Sequence, residues 1–156
     1  MGTNFYSGKR ILVAGGSGFV GIHLTATLIG LGAQVRSTYH SKEPRERHDS
    51  VEYVSADLLN PADCSRVTKD MDFVFMAAAN SSGAAVMEKT PLVHLTPNLI
   101  MNAQMLAASY ENKVSRFCFV SSNTVYPLTE FAVKESDANF EYFDKYFIVG
   151  LSLIHI

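Results

Sequence analysis

Residues 10–21 read Arg-Ile-Leu-Val-Ala-Gly-Gly-Ser-Gly-Phe-Val-Gly, and no other segment limits the fold as strongly. A short β-branched run stops on glycine, and a segment of helical apolar spacing follows (Val20, Leu24, Leu28, Leu31). Gly16, Gly18 and Gly21 satisfy G-x-G-x-x-G, while Gly15, Gly18 and Gly21 satisfy G-x-x-G-x-x-G. A strand that turns at once into a helix needs one glycine for the tight turn. A second lets a diphosphate approach the backbone, and a third lets helix and strand pack closely. The whole turn, Gly15, Gly16, Ser17, Gly18, Phe19, Val20 and Gly21, is therefore the expected phosphate cradle, with the free N–H groups and positive end of the helix facing the anion. A mononucleotide P-loop is excluded, because Ile22-His23 stands where Lys and Ser/Thr are required.

Downstream, strand and helix patterns alternate. Strands are predicted over Arg10 to Ala14, Ala33 to Thr38, Val51 to Ser55, Asp72 to Ala77 and Arg116 to Ser121. Helices are predicted over Gly18 to Leu31, from Asn60-Pro61 to about Lys69, and from Thr90 to Asn112. That order predicts an α/β fold, a doubly wound parallel sheet with strand order 3-2-1-4-5 and a ligand crevice where the order reverses. With 47% hydrophobic residues, the chain can bury one core. A net charge of −2 and the absence of a basic run exclude a nucleic-acid footprint. No apolar run nears the ~20 residues that span a bilayer, and the N-terminus lacks a signal core, so a cytoplasmic protein is expected. Cys64 and Cys118 are too few and too far apart for a disulfide framework or a metal knuckle.

Cofactor choice in such folds is read about 20 residues after the glycines, where a carboxylate holds a ribose 2′-hydroxyl. Here the stretch is Arg36-Ser37-Thr38-Tyr39-His40-Ser41-Lys42, without a carboxylate until Glu43. Arg36, Ser41 and Lys42 are the expected partners of a 2′-phosphate, which favours NADP over NAD.

The glycine loop, Asp57-Leu58, Phe75-Met76-Ala77-Ala78-Ala79, Asn98, and Val120-Ser121-Ser122-Asn123-Thr124-Val125-Tyr126-Pro127 occur in the order of one family. Over Lys9 to about Gly150 the chain resembles the extended short-chain dehydrogenase/reductases, and among them the nucleotide-sugar epimerase/reductases of the GDP-L-fucose synthase type. The resemblance implies that Asp57 accepts from an adenine amino group and that Leu58 covers the ring. It implies that Ala77, Ala78 and Ala79 leave room for the nicotinamide ribose. Asn98, in an otherwise apolar helix beside Leu99, Ile100 and Met101, reads as a structural polar anchor for the neighbouring loop. Ser122 would hold the sugar oxygen during hydride transfer at C4, with no metal involved. The acidic pair of the sugar dehydratases is absent at Asn123 and Thr124, which disfavours dehydration. The family's Tyr-x-x-x-Lys is also missing: Tyr142 precedes Lys145 by three, and Tyr146 is followed at four by Gly150. Tyr146 is the nearest candidate for the acid/base.

Residues 1–150 then form an incomplete cofactor-binding domain. Leu151-Ser-Leu-Ile-His-Ile156 matches a translated sequencing adapter and is expected to be a scar, with the substrate domain absent. An inert, aggregation-prone fragment of an NADP-dependent nucleotide-sugar epimerase/reductase is expected, its parent a possible homodimer. The alternative is a non-catalytic NADP-binding regulator on the same fold.

Overall fold

A computed structural model describes residues 4–81, 89–90, 92–121, 126 and 129–137. The elements are β1 (Arg10–Ala14), α1 (Phe19–Gly30), β2 (Gln34–Tyr39), β3 (Val51–Ser55), α2 (Pro61–Thr68), β4 (Phe73–Met76), α3 (Leu92–Glu111) and β5 (Arg116–Phe119), followed by a 3-10 turn at Glu135–Asp137. All five strands are parallel, in the order β3-β2-β1-β4-β5. The predicted architecture and strand order are therefore those of the molecule.

The physical reason for the order lies in β1. Ile11, Leu12, Val13 and Ala14 have no solvent exposure, as a strand covered on both faces requires. Ile11 pairs with Val35 on one side and Phe73 on the other, and Val13 lies opposite Ser37 and Phe75. One face packs Ile11, Val13, Leu28, Val35, Val51 and Phe73 into a single cluster. Side chains alternate along a strand, so Leu12 and its register partner Val74, both fully buried, serve the opposite face. Each such side chain contributes roughly 1.5–3 kcal/mol by leaving water.

Local signals set most boundaries. Asn60 accepts the Ala62 N–H through Oδ1 at 2.9 Å and Pro61 opens α2, as predicted. One boundary matters for function: β2 runs through Tyr39, one residue beyond the predicted end, because Tyr39 still pairs with Ser55 of β3. By contact density the chain divides into two units. One holds Met1–Ala79 with Ala103–Val120, including the whole sheet, and the other holds Asn80–Asn102 with Ser121–Ile156.

Candidate functional site

The glycine turn joins β1 to α1 where β1 lies between β2 and β4, the point at which the strand order reverses. Three of its glycines are demanded by the protein itself. Gly15 adopts φ +83°, and a Cβ there would lie 2.6 Å from the Ala78 Cα. A Cβ on Gly16 would strike the Ser37 hydroxyl, and one on Gly21 would meet the Gly15 carbonyl and the Gly16 Cα. Gly18 is different. Its φ of −79° and ψ of 167° suit any residue, and a Cβ would meet only the Gly15 carbonyl oxygen, at 3.3 Å. A side chain there would require the Gly15 carbonyl to give by a few tenths of an ångström, the mildest of the four contacts.

That open side carries donors. Gly18 caps α1 with no side-chain hydrogen bond, and the first turn holds no acidic residue. Gly16 N–H donates to Thr38 O (2.8 Å), Gly15 N–H to Thr38 Oγ1 (3.0 Å) and Gly18 N–H to Gly15 O (3.0 Å). Among the described residues no protein acceptor faces the N–H groups of Ser17, Phe19 and Val20. Three unpaired amides at the positive end of a helix fit a diphosphate. Phe19 stands 81% exposed beside them, its ring 5.0 Å from that of His23.

The same two Thr38 bonds tie the end of β2 to the turn. Arg36, expected to meet a 2′-phosphate, is committed elsewhere, which corrects that expectation. Its Nε bonds Glu52 at 2.8 Å, and its Nη1 donates to the carbonyls of Val67 (2.9 Å) and Lys69 (3.0 Å). The reason is the pleat together with the helix field. Arg36 lies on the face opposite Ser37, which abuts Gly16, and a cation is stabilised at the C-terminal carbonyls of α2. Ser41 and Lys42 follow β2, exposed and without a hydrogen bond or ion pair among the described residues. Tyr39, Glu43 and Arg47 were missed by the sequence reading. The Tyr39 hydroxyl donates to Glu43 Oε1 at 3.1 Å, and Arg47 Nη1 lies 3.3 Å from Glu43 Oε2. The i,i+4 spacing of Glu43 and Arg47 was their only sequence signal. Partial desolvation and the Glu43 hydrogen bond both raise the Tyr39 phenol above its ordinary value.

Asp57 follows β3 on an exposed loop. Its Oδ1 accepts the Leu59 N–H (2.9 Å), and its own N–H donates to Asp63 Oδ2 (2.9 Å). Arg66, 2.6 Å from Asp63 Oδ1, holds the Asp63 carboxyl below its usual range, with the Asp57 amide adding to the effect. Leu58, expected to cover an adenine ring, is 6% exposed and belongs to the core, whereas Leu59 is 42% exposed. The turn that directs Asp57 outward sends the next side chain inward. After β4, Ala77 N–H donates to Ala14 O at 3.0 Å, and the Ala78 backbone closes against Gly15. Ala77 and Ala78 are half-buried and Ala79 is exposed, so small side chains line this exit.

In the second unit, Asn98 performs the predicted anchoring. Its Oδ1 accepts the Asn80 N–H (2.7 Å) and its Nδ2 donates to the Asn80 carbonyl (2.9 Å), a side-chain amide standing in for a neighbouring strand. Pro97 has no N–H to give Val93 O, and Asn80 Nδ2 takes that carbonyl at 3.5 Å. Ser122, Tyr146 and the adapter-like tail lie outside the described residues. Among the described residues no cluster could hold a metal ion, and no helix is long and apolar enough to cross a membrane.

Comparison with known proteins agrees with this geometry. The sequence profile of the "NAD dependent epimerase/dehydratase family" matches residues 11–148. GDP-mannose 3,5-epimerase 1 of Oryza sativa subsp. indica is 31% identical over 136 residues, covering 83% of this chain and 36% of the relative. A 3-beta-hydroxysteroid dehydrogenase of Mycolicibacterium neoaurum is 33% identical over 119 residues, covering 74% and 32%. The solved structure of epimerase Mth375 from Methanothermobacter thermautotrophicus superposes with a TM-score of 0.82 at 29% identity, covering 96% of this chain and 46% of that one. The chain thus spans about a third of the curated relatives it matches. A glycine turn with open amides at the reversal point of a 3-2-1-4-5 sheet, matched by a profile covering most of the sequence, makes this chain a member of the NAD-dependent epimerase/dehydratase family.

Proposed function

We propose that this chain is the cofactor-binding part of a nucleotide-sugar epimerase/reductase, holding a nicotinamide dinucleotide across the ends of β1, β2 and β4. One observation carries the reading: at the start of α1, capped by Gly18, the N–H groups of Ser17, Phe19 and Val20 have no protein acceptor among the described residues. The diphosphate would take the N–H groups of Ser17, Phe19 and Val20. Asp57 would face the adenine amino group with the oxygen that Leu59 leaves open, and the Leu58 contribution falls to its backbone. The alanines Ala77, Ala78 and Ala79 would keep side chains away from the ribose at β4.

A bound nicotinamide supplies the hydride acceptor or donor at its C4. The protein's part would be to hold a sugar oxygen with the Ser122 hydroxyl and to move its proton through a tyrosine, for which Tyr146 is the candidate. The likeness to a GDP-mannose epimerase supports a nucleotide-sugar substrate. The likeness to a hydroxysteroid dehydrogenase favours a second reading, in which the same cofactor half serves a sterol alcohol. Neither likeness favours the non-catalytic regulator. For the cofactor, Ser41 and Lys42 remain to meet the 2′-phosphate of NADP, without Arg36.

The test is a binding titration of NAD and NADP against the wild-type chain and Gly18→Val. The valine branches project into the phosphate path, so binding should fall at least about tenfold, the loss of one or two charge-assisted hydrogen bonds. A urea titration of the variant reads separately the cost of displacing the Gly15 carbonyl, 3.3 Å from the new Cβ. Unchanged binding in Gly18→Val would defeat the proposal.

A further inference from the structure

We propose that Thr38 is a positioning residue of the dinucleotide site. Its hydroxyl holds the Gly15 amide, and through the turn it aims the N–H groups of Ser17, Phe19 and Val20 at the diphosphate. The inference rests on the dinucleotide reading above and is independent of the choice between NAD and NADP.

The need arises where the β1–β2 ladder stops. Its last registered pair is Val13 with Ser37, so the amides that follow β1 require other acceptors. Thr38 supplies both. Its carbonyl accepts the Gly16 N–H at 2.8 Å, and its Oγ1 accepts the Gly15 N–H at 3.0 Å. The two peptide groups that flank Gly15 are thereby fixed at each end, since Ala14 O accepts from Ala77 N–H and Gly15 O from Gly18 N–H, both at 3.0 Å. Three of these four bonds run between backbone groups and survive any exchange of side chains. The Thr38 hydroxyl makes the fourth, which a substitution can delete.

Burial and stiffness suit Thr38 to this role. It is 2% exposed, so its side chain is out of a ligand's reach and acts through the backbone. Branching at Cβ restricts χ1 and holds Oγ1 against the turn. Burial alone does not supply a bond: the hydroxyl of the adjacent Ser37 is as deeply buried and has no partner among the described residues. Gly15 is the residue that needs holding. It turns the chain at φ +83°, and without a Cβ its own torsions do little to keep it there. Its carbonyl carries the Gly18 N–H, so a rotation at Gly15 passes directly to the cap of α1. An anion shared among several N–H groups is sensitive to their direction, because hydrogen bonds weaken steeply off axis.

The experiment is a fluorescence titration of NADH and NADPH against the wild-type chain, Thr38→Val and Thr38→Ser, with a urea titration of each. Thr38→Val keeps the branched shape and deletes the acceptor. Affinity per folded chain for the tighter cofactor should fall about tenfold, the worth of one hydrogen bond to a charged group. Thr38→Ser keeps the hydroxyl and should bind within about threefold of the wild type. A valine variant that binds like the wild type, whatever its urea midpoint, would reduce Thr38 to a structural residue and overturn the inference. A serine variant as weak as the valine one would also overturn it. If the valine variant does not fold, amide exchange in the wild type decides. The Gly15 N–H should exchange slowly with and without cofactor, whereas those of Ser17, Phe19 and Val20 should slow only when cofactor is bound. A Gly15 amide that exchanges as fast as those three in the free chain would overturn the inference while leaving the dinucleotide site intact. Failure of the wild type to bind either cofactor would remove the site itself, and this inference with it.

Discussion

Single residues in the turn divide by what demands them. Gly15, Gly16 and Gly21 are required by close protein atoms, whereas a Cβ on Gly18 would meet the Gly15 carbonyl alone, at 3.3 Å. The motif made all of these positions legible, but it could not separate the two kinds, since a pattern carries no distances. The cost of close packing shows at Ser37, whose hydroxyl abuts Gly16, is 1% exposed and has no hydrogen-bond partner among the described residues. Ser37→Ala should therefore raise stability by about 1 kcal/mol, read as a higher urea midpoint at unchanged slope. Cysteine chemistry is also a matter of single environments. Burial pushes the Cys64 thiol up to about 11, and its Sγ lies 3.3 Å from the Leu58 carbonyl. Cys118 is exposed on β5. Iodoacetamide at neutral pH should alkylate Cys118 in the folded chain and leave Cys64 unmodified until denaturant is added; mass spectrometry of the peptides reads the order.

Elements were legible to the extent that their signals are local. Asn60-Pro61 announced α2, and the glycine turn announced α1. The function of α2 was not legible, because it depends on where the helix docks. Its first-turn Asp63 captures the Asp57 amide, and its last carbonyls capture Arg36. Asp63 also makes a pH prediction. Its folded-state pKa is depressed below 3.8, so the stability it adds is present above that value and declines as pH falls through the lowered one. In an acid titration Asp63→Asn should be less stable than the wild type at pH 6, and the two curves should converge at the acid end. A gap that persists to the lowest pH would show that the carboxylate charge is not responsible. In α3, Asn98 was legible as an anchor since it interrupts an apolar run. Its partner Asn80 was not, lying 18 residues away on a segment with no periodicity of its own.

Across the whole molecule, the sheet order places every candidate cofactor contact at the carboxyl ends of adjacent strands. It also leaves an apolar stripe along α3, with Leu92, Leu99, Leu106 and Tyr110 at helical spacing and all exposed. A stripe of this kind is expected to drive self-association. Sedimentation velocity should show mass rising with concentration, and Leu99→Glu with Leu106→Glu should return the chain toward a monomer. The sequence by itself determined the parallel fold, its strand order and the place of the glycine turn. Those depend on patterns within a few residues: an apolar run both of whose faces must be buried, a turn that only glycine permits, a cap before a proline. Tertiary structure alone decided that Arg36 faces α2, that Leu58 lies in the core, and that Glu43 returns to the end of β2. Each of those outcomes is a competition for a charge or an apolar surface among groups distant in the chain. Only the folded arrangement brings the competitors within reach of one another.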